Sequence, residues 1–284
     1  TWFGTFPNLI MLGAIMISYG NFTFDRLVQR ETDVILSATT TIAGDTLLEQ
    51  DIVHLPTCVR RWLRQSNAIG KPVICVGRIE QRALIKLKPE QEEWHQARAV
   101  QFTTTEVPAF IWTVDVDVNA LVAFRGRDTY IDGKGNMLIT LHSLLRIVNE
   151  TGEKLDEGTL QRYLGEMVWF PSLAVSPYIS WDRIDTYSAR ATMTYRGITG
   201  SGTFTFNDQG DFVAFSAMRY KDNTPTAQRY PWVLTVEAYE TFEGRRIPSA
   251  LQATWQLEDG DWTWLKLHLT KVSYNENALQ YREQ

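Results

Sequence analysis

The chain has little cysteine and little histidine, and it has no charge at all at its beginning. Cys58 and Cys75 are the only cysteines in 284 residues, too few for a disulfide framework. The four histidines, His54, His95, His142 and His268, fall in no H-x-x-x-H or C-x-x-C spacing, so neither a zinc site nor any other cofactor is expected. Positive charge is not in excess: the formal net charge is −5 and the basic residues are scattered, which argues against a nucleic-acid partner. Arg60, Arg61 and Arg64 form the densest group and read as the solvated face of a short helix. No serine lies in a G-x-S-x-G context, and DGKGN lacks the pattern of a phosphate loop. No internal repeat, low-complexity tract or interdomain linker breaks the sequence.

The most consequential absence is at the start. No Asp, Glu, Lys or Arg occurs before Asp25 and Arg26. Pro7 suits the first turn of a helix, and the residues from Pro7 to Phe24 would span about 27 Å, near the roughly 30 Å of a bilayer core. Leu9, Ile10, Leu12, Ile15 and Ile17 would be its apolar face. Trp2, Phe3 and Phe6 at one end, with Tyr19, Phe22 and Phe24 at the other, fit interfacial belts. The expectation is therefore a single-pass membrane anchor over residues 1–24. Arg26 and Arg30 lean slightly towards a cytoplasmic domain. A helix buried in a soluble core is the competing reading.

What is abundant is aromatic. Ten Trp, 11 Tyr and 13 Phe favour sheet, because flat rings pack well on a pleated surface. Strand-like runs are joined by tight turns at DGKG (132–135), NDQG (207–210), FEGR (242–245) and EDGD (258–261), the mark of an antiparallel meander. LPTCVRRWLRQSN reads as a short helix. In LDEGTLQRYLGEMVWF, Leu160, Tyr163, Leu164 and Met167 recur at i, i+3, i+4 and i+7, an amphipathic helix that Asp156 could cap. The fold class is α+β: a large curved antiparallel sheet of about ten strands with one or two packed helices, preceded by a transmembrane helix. Residues 25–51 are a connector, 52–275 a single domain, and 276–284 a tail.

The blocks LPTCVRRWLR, TTEVPAFIWTVDV, GRDTYIDGKGNML, LDEGTLQRYLGEMVWFPSLAV, ISWDRIDTYSARATM and PWVLTVEAYETFEGRRIPSALQATWQL, in that order, resemble an uncharacterised bacterial domain-of-unknown-function family over roughly residues 52–275. The resemblance implies a curved half-barrel of the lipoprotein-carrier (LolA/LolB-like) type, in which a sheet wraps helices and shelters an acyl chain. This sequence departs from the family pattern at Cys58, Trp62 and Gly165, and at Leu265 and Lys266, where an aromatic-Trp-Arg-Gly run is expected.

Catalytic candidates are few. Asp115 and Asp117 share one strand face, with Val114, Val116 and Val118 on the other. They could bind a metal or act as acid and base, but a solvated face is the simpler reading. Asp128 and Asp132 read as turn and cross-strand residues, and Glu166 as the partner of an Arg such as Arg190 or Arg219. Trp112 and the apolar segment Trp169, Phe170, Pro171, Tyr178 and Trp181 are the candidate binding residues, lining a pocket mouth, touching a membrane or docking on a partner. The expected function is non-catalytic: an accessory subunit of a membrane complex, with integral membrane proteins and lipid as partners. The alternative is a half-barrel that binds lipid or another hydrophobic small molecule, and a hydrolase using Asp115 and Asp117 is third.

Overall fold

The computed structural model describes residues 2–39, 44–119 and 122–276, with side chains from residue 7 onward. Helix α1 (Trp2–Ser37) and α2 (Thr57–Gln65) precede six strands. These are β1 (Val76–Ile85), β2 (His95–Thr104), β3 (Ala109–Asn119), β4 (Val122–Ile131), β5 (Lys134–Leu141) and β6 (Leu145–Glu150). Helix α3 (Glu153–Gly165) follows, then two 3-10 turns at Glu166–Trp169 and Pro171–Val175. Seven more strands follow among the described residues: β7 (Ile179–Arg183), β8 (Ser188–Tyr195), β9 (Ile198–Phe206), β10 (Phe212–Tyr220), β11 (Arg229–Phe242), β12 (Arg245–Leu257) and β13 (Gly260–Tyr274).

All thirteen strands form one antiparallel sheet in the order β6-β5-β4-β3-β2-β1-β13-β12-β11-β10-β9-β8-β7. Each half is a local meander, and the halves meet where β1 pairs with β13. The turns fall at the places the sequence marks. At the β4–β5 hairpin Asp132 and Gly133 both have positive φ, 51° and 79°, the conformation a two-residue hairpin turn demands. The sheet has thirteen strands where about ten were expected; the short edge strands β6 and β7, which carry no clear alternation, account for two of the difference.

Helix α3 carries the chain from one sheet edge to the other and lies in the concavity. Leu160, Tyr163 and Leu164 are buried there, with Met167 in the next turn, as their spacing predicts. Alternation along the strands then sorts the two faces. Phe110, Trp112, Val114 and Val116 point into the concave core, whereas Asp115 lies on the convex side and pairs with Arg125 at 2.7 Å. The solvated-face reading of Asp115 and Asp117 holds, and among the described residues no group of three or more His, Cys, Asp or Glu could hold a metal. Both cysteines are free thiols.

Three sequence expectations need correction. Among the described residues no helix is long and apolar enough to cross a membrane. Instead of stopping at residue 24, α1 runs to Ser37, because no glycine or proline interrupts it after Gly20 and its new charges find partners on the sheet. Asp25 pairs with Arg125 at 2.9 Å and Glu31 with Arg127 at 3.0 Å, while Ile35 and Leu36 bury against Val76, Ala109 and Ile111. The C-terminal half of α1 thus straps the convex face. Leu9, Ile10, Leu12, Ile15 and Ile17 are exposed. Second, Asp156 is not the cap of α3, whose first residue is Glu153. Its buried carboxylate accepts from Gly135 N at 2.8 Å and Lys134 Nζ at 2.9 Å, pinning the β4–β5 hairpin to the helix. Third, the helix read over LDEGTLQRYLGEMVWF is shorter than that segment: α3 ends at Gly165, and 3-10 turns follow at Glu166–Trp169 and from Pro171. The side chains of Trp2, Phe3 and Phe6 and the tail from 277 onward lie outside the described residues.

Candidate functional site

Between α3 and the concave face is a cavity of about 160 Å³. Five tryptophans line it: Trp112 from β3, Trp169 from the turn after α3, Trp232 from β11, Trp255 from β12 and Trp264 from β13. Trp112, Trp232 and Trp255 face inward because they share parity with the buried faces of their strands, whereas Trp264 lines the cavity at the register shift between β12 and β13 that falls at Ala253/Thr254. Trp232 stands opposite Trp255 in the β11–β12 ladder. Leu234, Leu251 and Leu267 add aliphatic surface.

The cavity also contains a charged cluster. Arg162 reaches down from α3 and holds two carboxylates: Glu166 through Nε at 2.7 Å and Asp128 through Nη1 at 2.9 Å. Gln101 closes the network, donating to Glu166 at 2.7 Å and accepting from Arg162 Nη2 at 3.3 Å. The Arg162 guanidinium also lies 4.8 Å from the ring centres of Phe110 and Trp112. The partner of Glu166 is therefore Arg162, one helical turn away, and not Arg190 or Arg219. Asp132 lies in the hairpin turn and Asp128 is the cross-strand residue, facing inward from β4 opposite Trp112.

Burial pushes the Asp128 carboxyl above the ordinary aspartate range, against the pull of Arg162 and Arg127. A folded-state pKa raised above the unfolded one means a contribution to stability that is complete below the ordinary value and fades as pH rises through the raised one. The stability advantage of the wild type over Asp128→Asn should therefore shrink as pH rises above the ordinary aspartate value of about 4. Thermal melts of the pair check this, and an advantage that grows with pH would contradict it.

Arg219, on β10, is the second inward cation. Its guanidinium sits over Trp232 at 4.2 Å and near Trp255 at 5.7 Å. It also fits against α3 at Gly158, where a Cβ would stand 3.3 Å from Arg219 Nη2. Burial, and then repulsion from Arg162, pull its pKa from the usual arginine range to about 9, which leaves it a cation at neutral pH.

The six residues singled out in the sequence separate here. Trp112 and Trp169 line the cavity. Phe170 and Pro171 are buried beside it: Phe170 packs edge-on to Tyr274 at 6.1 Å. Tyr178 packs edge-on to Tyr195, and Trp181 on Phe204, with its Nε1 bonded to Ala174 O at 2.9 Å. The Trp169–Trp181 segment therefore closes the core instead of forming one surface. Sequence reading missed Trp232, Trp255, Trp264 and Arg162, and named Arg219 only as a candidate partner of Glu166. An alternation count along β11 to β13 would have aimed Trp232 and Trp255 inward; nothing local marks the arginines.

No curated protein matches the chain. Among solved structures, it is similar to a LolA superfamily protein of Nitrosomonas europaea at 10% identity, with a TM-score of 0.41 and coverage of 78% of this chain and 96% of that one. It is also similar to a β-barrel-like protein of the unknown-function family DUF1849 from Brucella abortus, at 8% identity and a TM-score of 0.26, covering 71% of this chain and 98% of the other. Residues 45–267 match the family of unknown function DUF6544, nearly the span over which the six sequence blocks run. With most of its length inside that match, the chain belongs to DUF6544.

Proposed function

We propose that this protein is a binding protein for a small hydrophobic molecule, held in the cavity between α3 and the concave sheet. The observation that carries the reading is the convergence of five tryptophans from five separate elements on one internal space. Aromatic walls with a few polar groups are the usual make-up of a ligand site. At about 160 Å³ the space is below the roughly 300–1,000 Å³ of drug-sized pockets. It suits a single ring or a short chain, not a whole diacyl lipid. The accessory-subunit expectation gains no support from the fold or from the relatives, and the cavity favours the ligand reading.

Titration with a series of straight-chain alcohols from butanol to dodecanol, followed by tryptophan fluorescence, tests it. Saturable binding is expected, strongest at an intermediate length, and weakened at least about tenfold by Trp232→Ala, since an aromatic wall of this size is worth a kilocalorie or more. No saturable response to any alcohol would overturn the reading.

A second reading concerns α1. Its residues Leu9 to Phe22 expose Leu9, Ile10, Met11, Leu12, Ile15, Met16, Tyr19 and Phe22, with no charged residue among them. Such a stripe is suited to partial insertion at a lipid surface. Full-length protein should co-sediment with phosphatidylcholine vesicles, and a chain lacking residues 2–19 should stay in the supernatant; equal sedimentation of the two would exclude the helix as the contact.

A further inference from the structure

The polar groups left over in the Trp cavity all have the same chemical sense. Gln81 is 3% exposed and uses its carbonyl oxygen to accept from Trp112 Nε1 at 3.0 Å, so its amide Nε2 is a donor, and it has no partner. Trp264 Nε1 and Arg219 Nε are likewise shielded from solvent without an acceptor. All three residues line the same cavity. A buried donor without an acceptor is costly, and native structures rarely leave several together.

The charges point the same way. Asp128 and Glu166 are both engaged by Arg162, and Glu157, which also faces Arg219, is paired with Arg229 at 2.7 Å. Among the described residues Arg219 thus makes no direct salt bridge: Glu166, Asp128 and Glu157 act on it only at longer range, and it is held by the faces of Trp232 and Trp255. The Gly158 gap lets it lie flat against α3.

We infer that the cavity selects an amphiphile with an anionic, acceptor-rich head, specifically a carboxylate on a short apolar tail. The head accepts from Arg219, Gln81 and Trp264, and the tail lies among Trp112, Trp169, Trp232 and Trp255. This inference rests on the proposed hydrophobic-ligand reading and adds the head group to it. A carboxylate answers the donors best because it offers about four acceptor sites and no hydrogen to donate. Charge-assisted contacts to a guanidinium are the strong ones in a partly desolvated site.

The test compares three probes of equal tail length, octanoate, octanol and octylammonium, by calorimetric titration at neutral pH. Octanoate should bind at least about tenfold tighter than octanol, and octylammonium more weakly than either. In Arg219→Met the octanoate preference should collapse to within about twofold, with octanol binding retained as proof that the cavity is intact. Gln81→Leu should reduce the preference several-fold by the same logic. Equal affinity of the wild type for octanoate and octanol would overturn the head-group assignment and leave the cavity reading standing. Binding of neither probe would overturn both. Parallel loss of octanoate and octanol in both variants would make Arg219 and Gln81 structural, which also sinks the inference.

Discussion

Trp169→Ala is expected to lower the unfolding free energy by about 3–5 kcal/mol, the cost of removing a large buried aromatic and leaving its cavity. Trp169 is only 2% exposed. It fills the junction between the end of α3 and β12, with Nε1 donating to Pro248 O at 3.1 Å and its own carbonyl accepting from Tyr274 Oη at 2.6 Å. The variant also enlarges the cavity that Trp169 lines, so long-chain alcohols should gain affinity relative to short ones. Urea unfolding followed by far-UV circular dichroism measures the first effect, and the alcohol series the second. Trp169→Phe should recover part of the stability because it restores most of the volume without the hydrogen bond. A loss below about 1 kcal/mol would mean that the site collapses readily around the truncated side chain.

Arg162→Ala should be comparably severe, about 3–5 kcal/mol, for a different reason. Its side chain keeps only 15% exposure, and it is the direct ion partner of Asp128 and Glu166, the latter 10% exposed. Removing it leaves two carboxylates without their direct ion partner in a poorly solvated space, the costly way to break a buried ion pair. The triple variant Arg162→Met, Asp128→Asn, Glu166→Gln removes charge from all three positions together and is expected to regain most of the loss, because a buried ionic cluster contributes little over a well-packed neutral one. Thermal melts of the single and triple variants separate the two ideas. For a domain of this size the single variant should melt about 6–20 °C lower. A triple variant no more stable than Arg162→Ala would show that the ions themselves, and not their mutual compensation, hold α3 in the concavity.

These two residues show where sequence stops being informative. Turns are local chemistry: Asp132-Gly133 and Glu243-Gly244 take positive φ in neighbouring pairs, and such dipeptides announce hairpins from two letters. The α3 stripe is legible for the same reason, since Leu160, Tyr163 and Leu164 within one helix, with Met167 in the turn that continues it, define its buried face. The ionic cluster is not local. Arg162 meets Asp128 across 34 positions and Gln101 across 61, and neither strand tells which charged residue will turn inward; β4 sends Asp128 in and Arg125 and Arg127 out by parity alone. Helix α1 was misjudged for a related reason. A change from uncharged to charged composition at residue 25 looks like a boundary, yet nothing there breaks a helix, and the charges are spaced for Arg125 and Arg127 on a strand a hundred residues away. The Trp cavity was half legible: Trp112 and Trp169 were singled out, while the three tryptophans contributed by the C-terminal strands were read only as sheet filler.

The pairing of the first strand with the last has a mechanical consequence. Gly77 lies opposite Tyr274 and Ile85 opposite Leu265, so the start of β1 and the end of β13 sit side by side at one end of the central seam. Tension between the helix that leads into β1 and whatever follows β13 would load that seam from this end, opening its ladder one rung after another like a zip instead of shearing all its rungs together. The sheet would part in the middle, into two meanders still tethered at their far edges through α3, and the tryptophan chamber that spans the seam would be opened before either meander lost its own hairpins.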